Sequence, residues 1–143
     1  MARTLVNAPV PLRHRPLDAV PAGHTTLRQR LALQPAGAVG IGVVTVEESL
    51  RGRLAQLARA GDGPTRIYAY GLLVEALLDF ACFPILPYNQ PAEGWFQQLR
   101  PIRIGTQDRK ITALALANQL ILVTRNRRDF TRVPGLVLED WSV

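Results

Sequence analysis

Residues 102–130 read IRIGTQDRKITALALANQLILVTRNRRDF, and this stretch decides the fold. Its first half is typical of a helix, and Leu120–Thr124 is an apolar run typical of a buried strand. The two acids of the stretch lie at ends of those elements: Asp108 is in the first turn of the helix, and Asp129 comes just after the strand. Residues 100–132 also hold eight of the chain's 17 basic residues. Isolated carboxylates in a positive field indicate a metal-dependent site that handles phosphate.

The composition is that of a globular protein with one domain. The chain has 143 residues, of which 48% are hydrophobic and 20% charged. The single cysteine, Cys82, excludes an internal disulfide framework and a cysteine-rich zinc site, and its apolar neighbours predict a small core residue. No apolar run approaches the ~20 residues that span a bilayer, and the N-terminal residues lack the apolar stretch of a signal peptide. We therefore expect a cytoplasmic protein.

The basic excess has two explanations. The net charge is +6, and 16 of the 17 basic residues are arginine. The planar guanidinium group suits phosphate oxygens, so this excess favours nucleic acid as a partner. A GC-rich genome would produce the same preference for arginine over lysine, and the basic segments could equally form a solvated face. Composition alone does not decide between these explanations.

Strands alternate with helices from residue 39 onward. Val39–Val46 is apolar and β-branched without alternation, which predicts a buried strand of a parallel sheet. Thr45 is placed to cap a helix over Glu47–Ala60. Residues 1–38 show no clear period apart from a short helix over Thr25–Leu33. The other predicted elements are helices over about Thr65–Ala81, from Asn89 to about Arg100 and from Gly105 and Thr106 to about Asn118, and strands over Pro84–Tyr88, Leu120–Thr124 and Leu136–Leu138.

This order of elements predicts an α/β fold with a central, largely parallel sheet. We expect a single domain in which a poorly defined N-terminal segment, residues 1–38, precedes the patterned part, residues 39–143. In open α/β sheets, ligands bind beyond the carboxyl ends of the strands. Acids fall at three such places: Glu47 or Glu48, Asp108, and Asp129. Hard cations such as Mg²⁺ and Mn²⁺ take oxygen ligands of this kind.

Each of these acids also has a purely structural explanation. The helix dipole favours Asp108 in a first turn, and a solvated first-turn pair would account for Glu47 and Glu48. Asp129 could be a turn or capping residue. The functional interpretation rests on finding acids at all three expected places within one fold.

Three motifs resemble those of PIN-domain ribonucleases. Residues 108–113, DRKITA, match their D-x-x-I-x-A helix, and residues 124–130, TRNRRDF, match their T-x-N-x-x-D-F segment. Residues 45–52, TVEESLRG, look like their T-x-x-E-x-x-x-G, which places Glu48 rather than Glu47 in the metal-binding role. Residues 39–141 as a whole are similar to VapC-type toxins of type II toxin–antitoxin modules.

The resemblance implies a PIN-like α/β/α sandwich that binds Mg²⁺ or Mn²⁺ and cuts RNA with a metal-activated water. It also implies a homodimer and a cognate antitoxin that blocks the site. Carried over by position, Glu48, Asp108 and Asp129 are the catalytic and metal-binding acids. Thr124 and Asn126 would support them through hydrogen bonds. The basic residues expected to contact RNA are Arg103, Arg109, Lys110, Arg125, Arg127 and Arg128.

One part of the family pattern is not recognisable. The family opens with a strand reading roughly Leu-Leu-Asp-Thr-Asp/Asn, whose first Asp is a central metal ligand. The nearest acid here, Asp18, is the candidate for the place of that metal ligand, but the prolines that flank it are unfavourable in a central strand. Residues 12–23 could be encoded by codons that, read one base later, give Tyr-Asp-Thr-Asp-His, so a compensated frameshift would explain the divergent start. With three acids instead of four, we expect reduced ribonuclease activity. The alternative function is a catalytically weak protein that binds RNA or an antitoxin.

Overall fold

The computed structural model describes residues 4–7, 29–35, 37–124 and 126–141, and within them a five-stranded sheet has the order β3-β2-β1-β4-β5. All four strand pairings are parallel, which confirms the predicted α/β fold with a largely parallel sheet. The strands are β1 (Thr4–Asn7), β2 (Val39–Gly42), β3 (Ile85–Leu86), β4 (Ile121–Thr124) and β5 (Leu138–Glu139). The helices are α1 (Val43–Arg59), α2 (Gly63–Phe80), α3 (Gln90–Gln98), α4 (Thr106–Ala117) and α5 (Arg127–Phe130), and residues 29–32 are also helical.

The centre of the sheet is β1, in a segment where the sequence predicted no strand. Thr4 is level with Val39 of β2 on one side, and Asn7 is level with Thr124 of β4 on the other. Four residues are too few to show a hydrophobic period. The strand forms because its backbone pairs with β2 on one side and with β4 on the other. Asp18 and the proposed frameshifted segment lie outside the described residues, and the predictions about them stay predictions.

The sheet is covered on both faces, as the unbroken apolar strands predict. Successive side chains of a strand point to opposite faces, and Leu122 and Val123 of β4 are both buried. Leu122 packs with Ile111 and Leu114 of α4, while Val123 packs with Val39 and Trp141. The helices pack in pairs, α1 on α2 and α3 on α4, and α1 also contacts α4. This last contact determines which helix ends meet at the edge of the sheet.

Helix α1 begins four residues earlier than predicted. The strand β2 ends at Gly42 and the helix follows directly, so Thr45 is a buried residue inside the helix rather than its cap. Valine has a modest preference for strands, but burial of Val44 in the core overrides it. As a consequence Glu47 and Glu48 lie beyond the first turn, where the helix dipole has little effect. The dipole explanation for this pair of acids is therefore wrong.

Helix α2 begins at Gly63, two residues before the predicted start at Thr65. Asp62 caps it by accepting a hydrogen bond from the Thr65 amide at 2.8 Å, and Pro64 occupies the first turn, where a missing amide proton is tolerated. The prediction that Cys82 is a core residue is wrong, because it follows the helix end and is exposed. None of the helices in the described part of the chain combines the length and apolarity needed to cross a bilayer.

The two helices before β4 follow the predicted boundaries. Asn89 caps α3 by accepting from the Ala92 amide at 3.3 Å. After α4, Gln119 has a left-handed backbone with φ of 54°, and the Leu120 amide donates back to the Ala115 carbonyl at 2.9 Å. This closed helix end turns the chain sharply, so that β4 begins only four residues after the helix ends.

Candidate active site

The acids lie around one edge of the sheet. Strands β1, β2 and β4 are parallel, so their carboxyl ends, at Asn7, Gly42 and Thr124, meet at the same edge. The chain leaves β1 toward β2 on one side and later returns to β4 on the other side. A crevice forms at such a reversal of strand order, and ligands of open α/β sheets bind there.

Glu48 and Asp108 are electrostatic neighbours across the contact between α1 and α4. Partial burial raises the pKa of the Glu48 carboxyl above its ordinary value, and the negative charges of Asp108 and Glu47 raise it further. Burial also raises the pKa of Asp108, and the charge of Asp129 adds to this effect. Asp108 therefore interacts electrostatically with Glu48 and with Asp129. These interactions connect the three sequence-predicted acids.

Asp129 is held by the residues that precede it. The Asn126 side-chain amide donates to Oδ2 of Asp129 at 3.0 Å, and the backbone amide of Asn126 donates to Oγ1 of Thr124 at 3.1 Å. Thr124 itself is buried at the end of β4. These two hydrogen bonds connect the end of the strand to the Asp129 carboxylate.

The structure separates Glu47 from Glu48. Glu47 forms an ion pair with Arg51 at 2.7 Å and accepts a hydrogen bond from Nε2 of Gln107 at 2.9 Å. The Gln107 hydrogen bond and the nearby cations Arg51 and Lys110 lower the pKa of Glu47. Glu47 therefore connects α1 to the first turn of α4. Its Arg51 partner is correspondingly engaged and is a poor candidate for holding RNA.

The three carboxyls suit a cation that keeps several of its water ligands better than a cation that all three bind directly. The pKa values of Glu48 and Asp108 are raised, and donors that are all oxygen match Mg²⁺ and Mn²⁺. Across the described residues, no group of three or more acidic, histidine or cysteine side chains is arranged to hold a metal ion directly. Mg²⁺ is commonly bound by one or two carboxylates while it retains several waters, so the donors present fit that mode.

Basic side chains differ in what they can offer a polyanion. Lys110 is close enough to lower the pKa of both Glu47 and Glu48, and Arg127 and Arg128 are exposed on α5 beside Asp129. Arg103 is also exposed, and its carbonyl accepts from Arg132 at 2.8 Å.

Arg109 is a special case among the basic residues predicted to contact RNA. Its guanidinium carbon lies 4.1 Å from the centre of the Phe96 ring, and its Nε is buried. This cation–π contact joins α4 to α3 and gives Arg109 a structural role. Arg125 lies outside the described residues.

Comparison with models of protein families finds no match. A curated relative, ribonuclease VapC2 of Rickettsia felis, is 44% identical over 39 residues, which make up 27% of this chain and 29% of that protein. Among solved structures, a chain of DNA-bound VapBC from Salmonella typhimurium aligns with a TM-score of 0.72 at 22% identity over 99% of both chains. A chain of VapBC-1 from nontypeable Haemophilus influenzae gives 0.72 at 16% identity over all of both chains. The chain has a VapC-type fold.

The VapC-type fold confirms the resemblance that the motifs predicted. A chain of VapBC2 from Rickettsia felis, in a complex with promoter DNA, also aligns with a TM-score of 0.64 at 21% identity, over 85% of this chain and 86% of that one. At identities of 16% to 22%, these likenesses concern the fold. The roles of individual acids stay predictions.

Two features near this candidate site were missed in the sequence. Gln107 positions Glu47, but its partner is 60 residues away and no local pattern joins them. Asn7 ends the central strand opposite Thr124, but a four-residue strand before a run of prolines gives little signal. An apolar Leu-Val pair followed by a polar residue, LVN, was the sign available in the sequence.

Proposed function

We propose that the protein is a metal-dependent endoribonuclease of the VapC type. The observation that carries this proposal is the group of three carboxyls, Glu48, Asp108 and Asp129, at the carboxyl edge of a VapC-type sheet. A protein gains no stability from placing like charges together, and perturbed carboxyls at a crevice are a mark of functional sites. The partial match to a VapC ribonuclease supports RNA as the substrate.

The residues have distinct roles in this proposal. Glu48, Asp108 and Asp129 would hold Mg²⁺ or Mn²⁺, partly through water, and Asn126 keeps Asp129 oriented through its hydrogen bond. When bound, such an ion lowers the pKa of water and neutralises charge on a phosphodiester. Arg127 and Arg128 are exposed beside the acids and would hold the phosphates of the RNA.

The proposed protein partner is an antitoxin. The VapBC structures that share this fold are toxin–antitoxin complexes, some with DNA, and a nuclease that acts on the RNA of its own cell needs an inhibitor. We expect the antitoxin to cover the edge of the sheet where the acids lie. A cytoplasmic location follows from the RNA substrate and remains part of the proposal.

A weaker, binding-only function is favoured by one observation. The central strand ends at Asn7, so the residue level with Thr124 is a neutral amide rather than an acid. Fewer negative charges oppose the strong hydration of Mg²⁺, which lowers affinity for the ion. A protein of this kind would bind RNA or an antitoxin and cleave slowly.

RNA cleavage by matched variants tests the proposal. The purified protein would be compared with Asp108→Asn and Asp129→Asn on a labelled single-stranded RNA, with Mn²⁺, Mg²⁺ or a chelator. Glu47→Gln is the control, because Glu47 is next to the group but engaged with Arg51 and Gln107. We expect each aspartate substitution to reduce the rate at least about 100-fold, as loss of a metal ligand or its support does, while the control retains most activity.

The possible outcomes separate the two functions. Cleavage that needs a divalent ion and fails in both aspartate variants supports the nuclease. RNA binding without cleavage in the unsubstituted protein supports the binding-only function. Equal cleavage in all four proteins points to a contaminating nuclease and removes the assignment.

A further inference from the structure

Three consecutive residues near the start of α4 direct their charges to different neighbours. The carboxylate of Asp108 interacts with Glu48 of α1, and so does the charge of Lys110. The charge of Arg109, which lies between them in the sequence, acts on Glu93 of α3 instead. The cation next to Asp108 in the chain is therefore turned to the opposite helix contact, away from the acids.

Phe96 of α3 is the main contact of the Arg109 guanidinium. The guanidinium carbon lies 4.1 Å from the centre of the Phe96 ring, and Nε of Arg109 is buried. The negative face of an aromatic ring attracts a cation, and the attraction is stronger when the cation has lost part of its water. The ring therefore holds the guanidinium on the α3 side of α4.

Glu93 adds a fixed negative charge on the same side. Its two carboxylate oxygens accept one hydrogen bond each, from the Tyr88 hydroxyl at 2.5 Å and from Nε2 of Gln97 at 2.6 Å. The Tyr88 bond lowers the pKa of Glu93 most, followed by the Gln97 bond, so the carboxylate stays ionised at neutral pH. The guanidinium of Arg109 thus meets both an aromatic face and an oriented anion on α3.

Without this hold, the nearest unoccupied anion for Arg109 is the acidic group. The arginine side chain is long and flexible, and Asp108 is its neighbour in the chain. An ion pair with a half-buried carboxylate is favourable, because water screens the charges less there than at an open surface. Such a pair would occupy an oxygen that a divalent cation needs and would cancel part of the charge that attracts the cation.

We propose that Phe96 and Glu93 are positioning residues that hold Arg109 on α3, prevent it from pairing with Asp108, and so keep that carboxylate available for a divalent cation. The last step rests on the proposed function, because it concerns the cation site. The hold on Arg109 rests on the contacts within α3 and α4. In this role Arg109 acts on the site through its placement, and RNA is not its partner.

Phe96→Leu tests the hold, because leucine retains the apolar packing and removes the aromatic face. Titration calorimetry with Mn²⁺ should give a Kd at least about 10-fold weaker than in the unsubstituted protein, as loss of a residue that orients a metal ligand does. Adding Arg109→Gln to this variant removes the competing cation and should restore the Kd to within about threefold of the original. A general loosening of the α3–α4 contact would not be rescued by a second substitution in the same contact.

Leu116→Ala is the matched control. Leu116 packs against the same hydrophobic cluster as Phe96, seven residues beyond Arg109 on α4. Its truncation should lower the Tm of the metal-free protein, since packing is lost, and should leave the Kd for Mn²⁺ within about threefold of the original. Melts of every variant establish that it is folded.

A second measurement needs no metal. In the Phe96→Leu background, Asp108→Asn removes an ion pair with Arg109, whereas in the unsubstituted protein it removes none. Asp108→Asn should therefore lower the metal-free Tm by roughly 2–4 °C more in that background. This comparison detects where the Arg109 charge lies whether or not a cation binds.

The outcomes separate this inference from the proposed function. Phe96→Leu with unchanged affinity for Mn²⁺ would overturn the inference, and so would a loss that Arg109→Gln does not restore or that Leu116→Ala reproduces. An unsubstituted protein that does not bind Mn²⁺ would remove the cation site of the proposed function. The metal-free melts then decide the hold on Arg109: the extra loss of Tm supports it, and equal losses in both backgrounds overturn it.

Discussion

Substitution of Asp108 by asparagine should remove the response to divalent cations without destabilising the metal-free protein. Asp108 is half-buried, and its pKa is raised by burial and by the charge of Asp129. Removal of the charge relieves this repulsion, and solvent screening keeps the gain in stability small. The lost interaction with the helix dipole in the first turn of α4 offsets this by about 0.3–1 kcal/mol. The two effects nearly cancel.

The cation response is larger than this difference. Mn²⁺ at ten times its Kd stabilises the folded protein by about 1.4 kcal/mol. For a domain of this size, that raises Tm by about 5 °C. We expect this rise in the unsubstituted protein and in Glu47→Gln, and its loss in Asp108→Asn, whose metal-free Tm should stay within about 2 °C of the original.

Calorimetric melts of the three proteins, with Mn²⁺ and with a chelator, provide the measurement. An Asp108→Asn variant that melts many degrees lower without metal would show that the carboxylate has a structural role. An unchanged Mn²⁺ response in that variant would show that the cation binds elsewhere. Either result would refute the reasoning that makes Asp108 the central member of the acidic group.

Three further predictions concern protons, the α4–β4 turn and the central strand. Because the pKa values of Glu48 and Asp108 are raised, Mn²⁺ affinity should fall on acidification from about pH 7 to about pH 5, which titration calorimetry at both pH values checks. Over the same range the stability of the metal-free protein should rise, because these two groups take up protons more readily in the folded state, and melts at both pH values check this. Gln119→Gly should raise stability by about 1 kcal/mol, since φ of 54° strains any side chain, and an unchanged denaturation midpoint would contradict this. Asn7→Asp should tighten Mn²⁺ binding at least several-fold in calorimetry if position 7 faces the acids, and no change would exclude it from the site.

Most of the fold could be predicted from the sequence because its signals are local. The Asn89 cap and the apolar run of β4 each lie within a few residues of the element that they define, and the structure has both at the predicted places. The prediction was less accurate where burial overrides local preference. The start of α1 at Val43 depends on a core that the local sequence does not show. The central strand β1 depends on partners more than 30 and 110 residues away.

For the candidate site, the sequence by itself determined which residues carry carboxylates and which turns hold them. Asp129 and its Asn126 donor are three residues apart, so their hydrogen bond is a local matter. Which acids interact electrostatically depends on the folded structure, because the Coulomb interaction between two carboxylates depends on the distance between them in space. Packing of α1 against α4 joins Glu47 to Gln107 and leaves Glu48 beside Asp108. Two adjacent glutamates that helical geometry alone cannot tell apart therefore acquire different partners, and their pKa values shift in opposite directions.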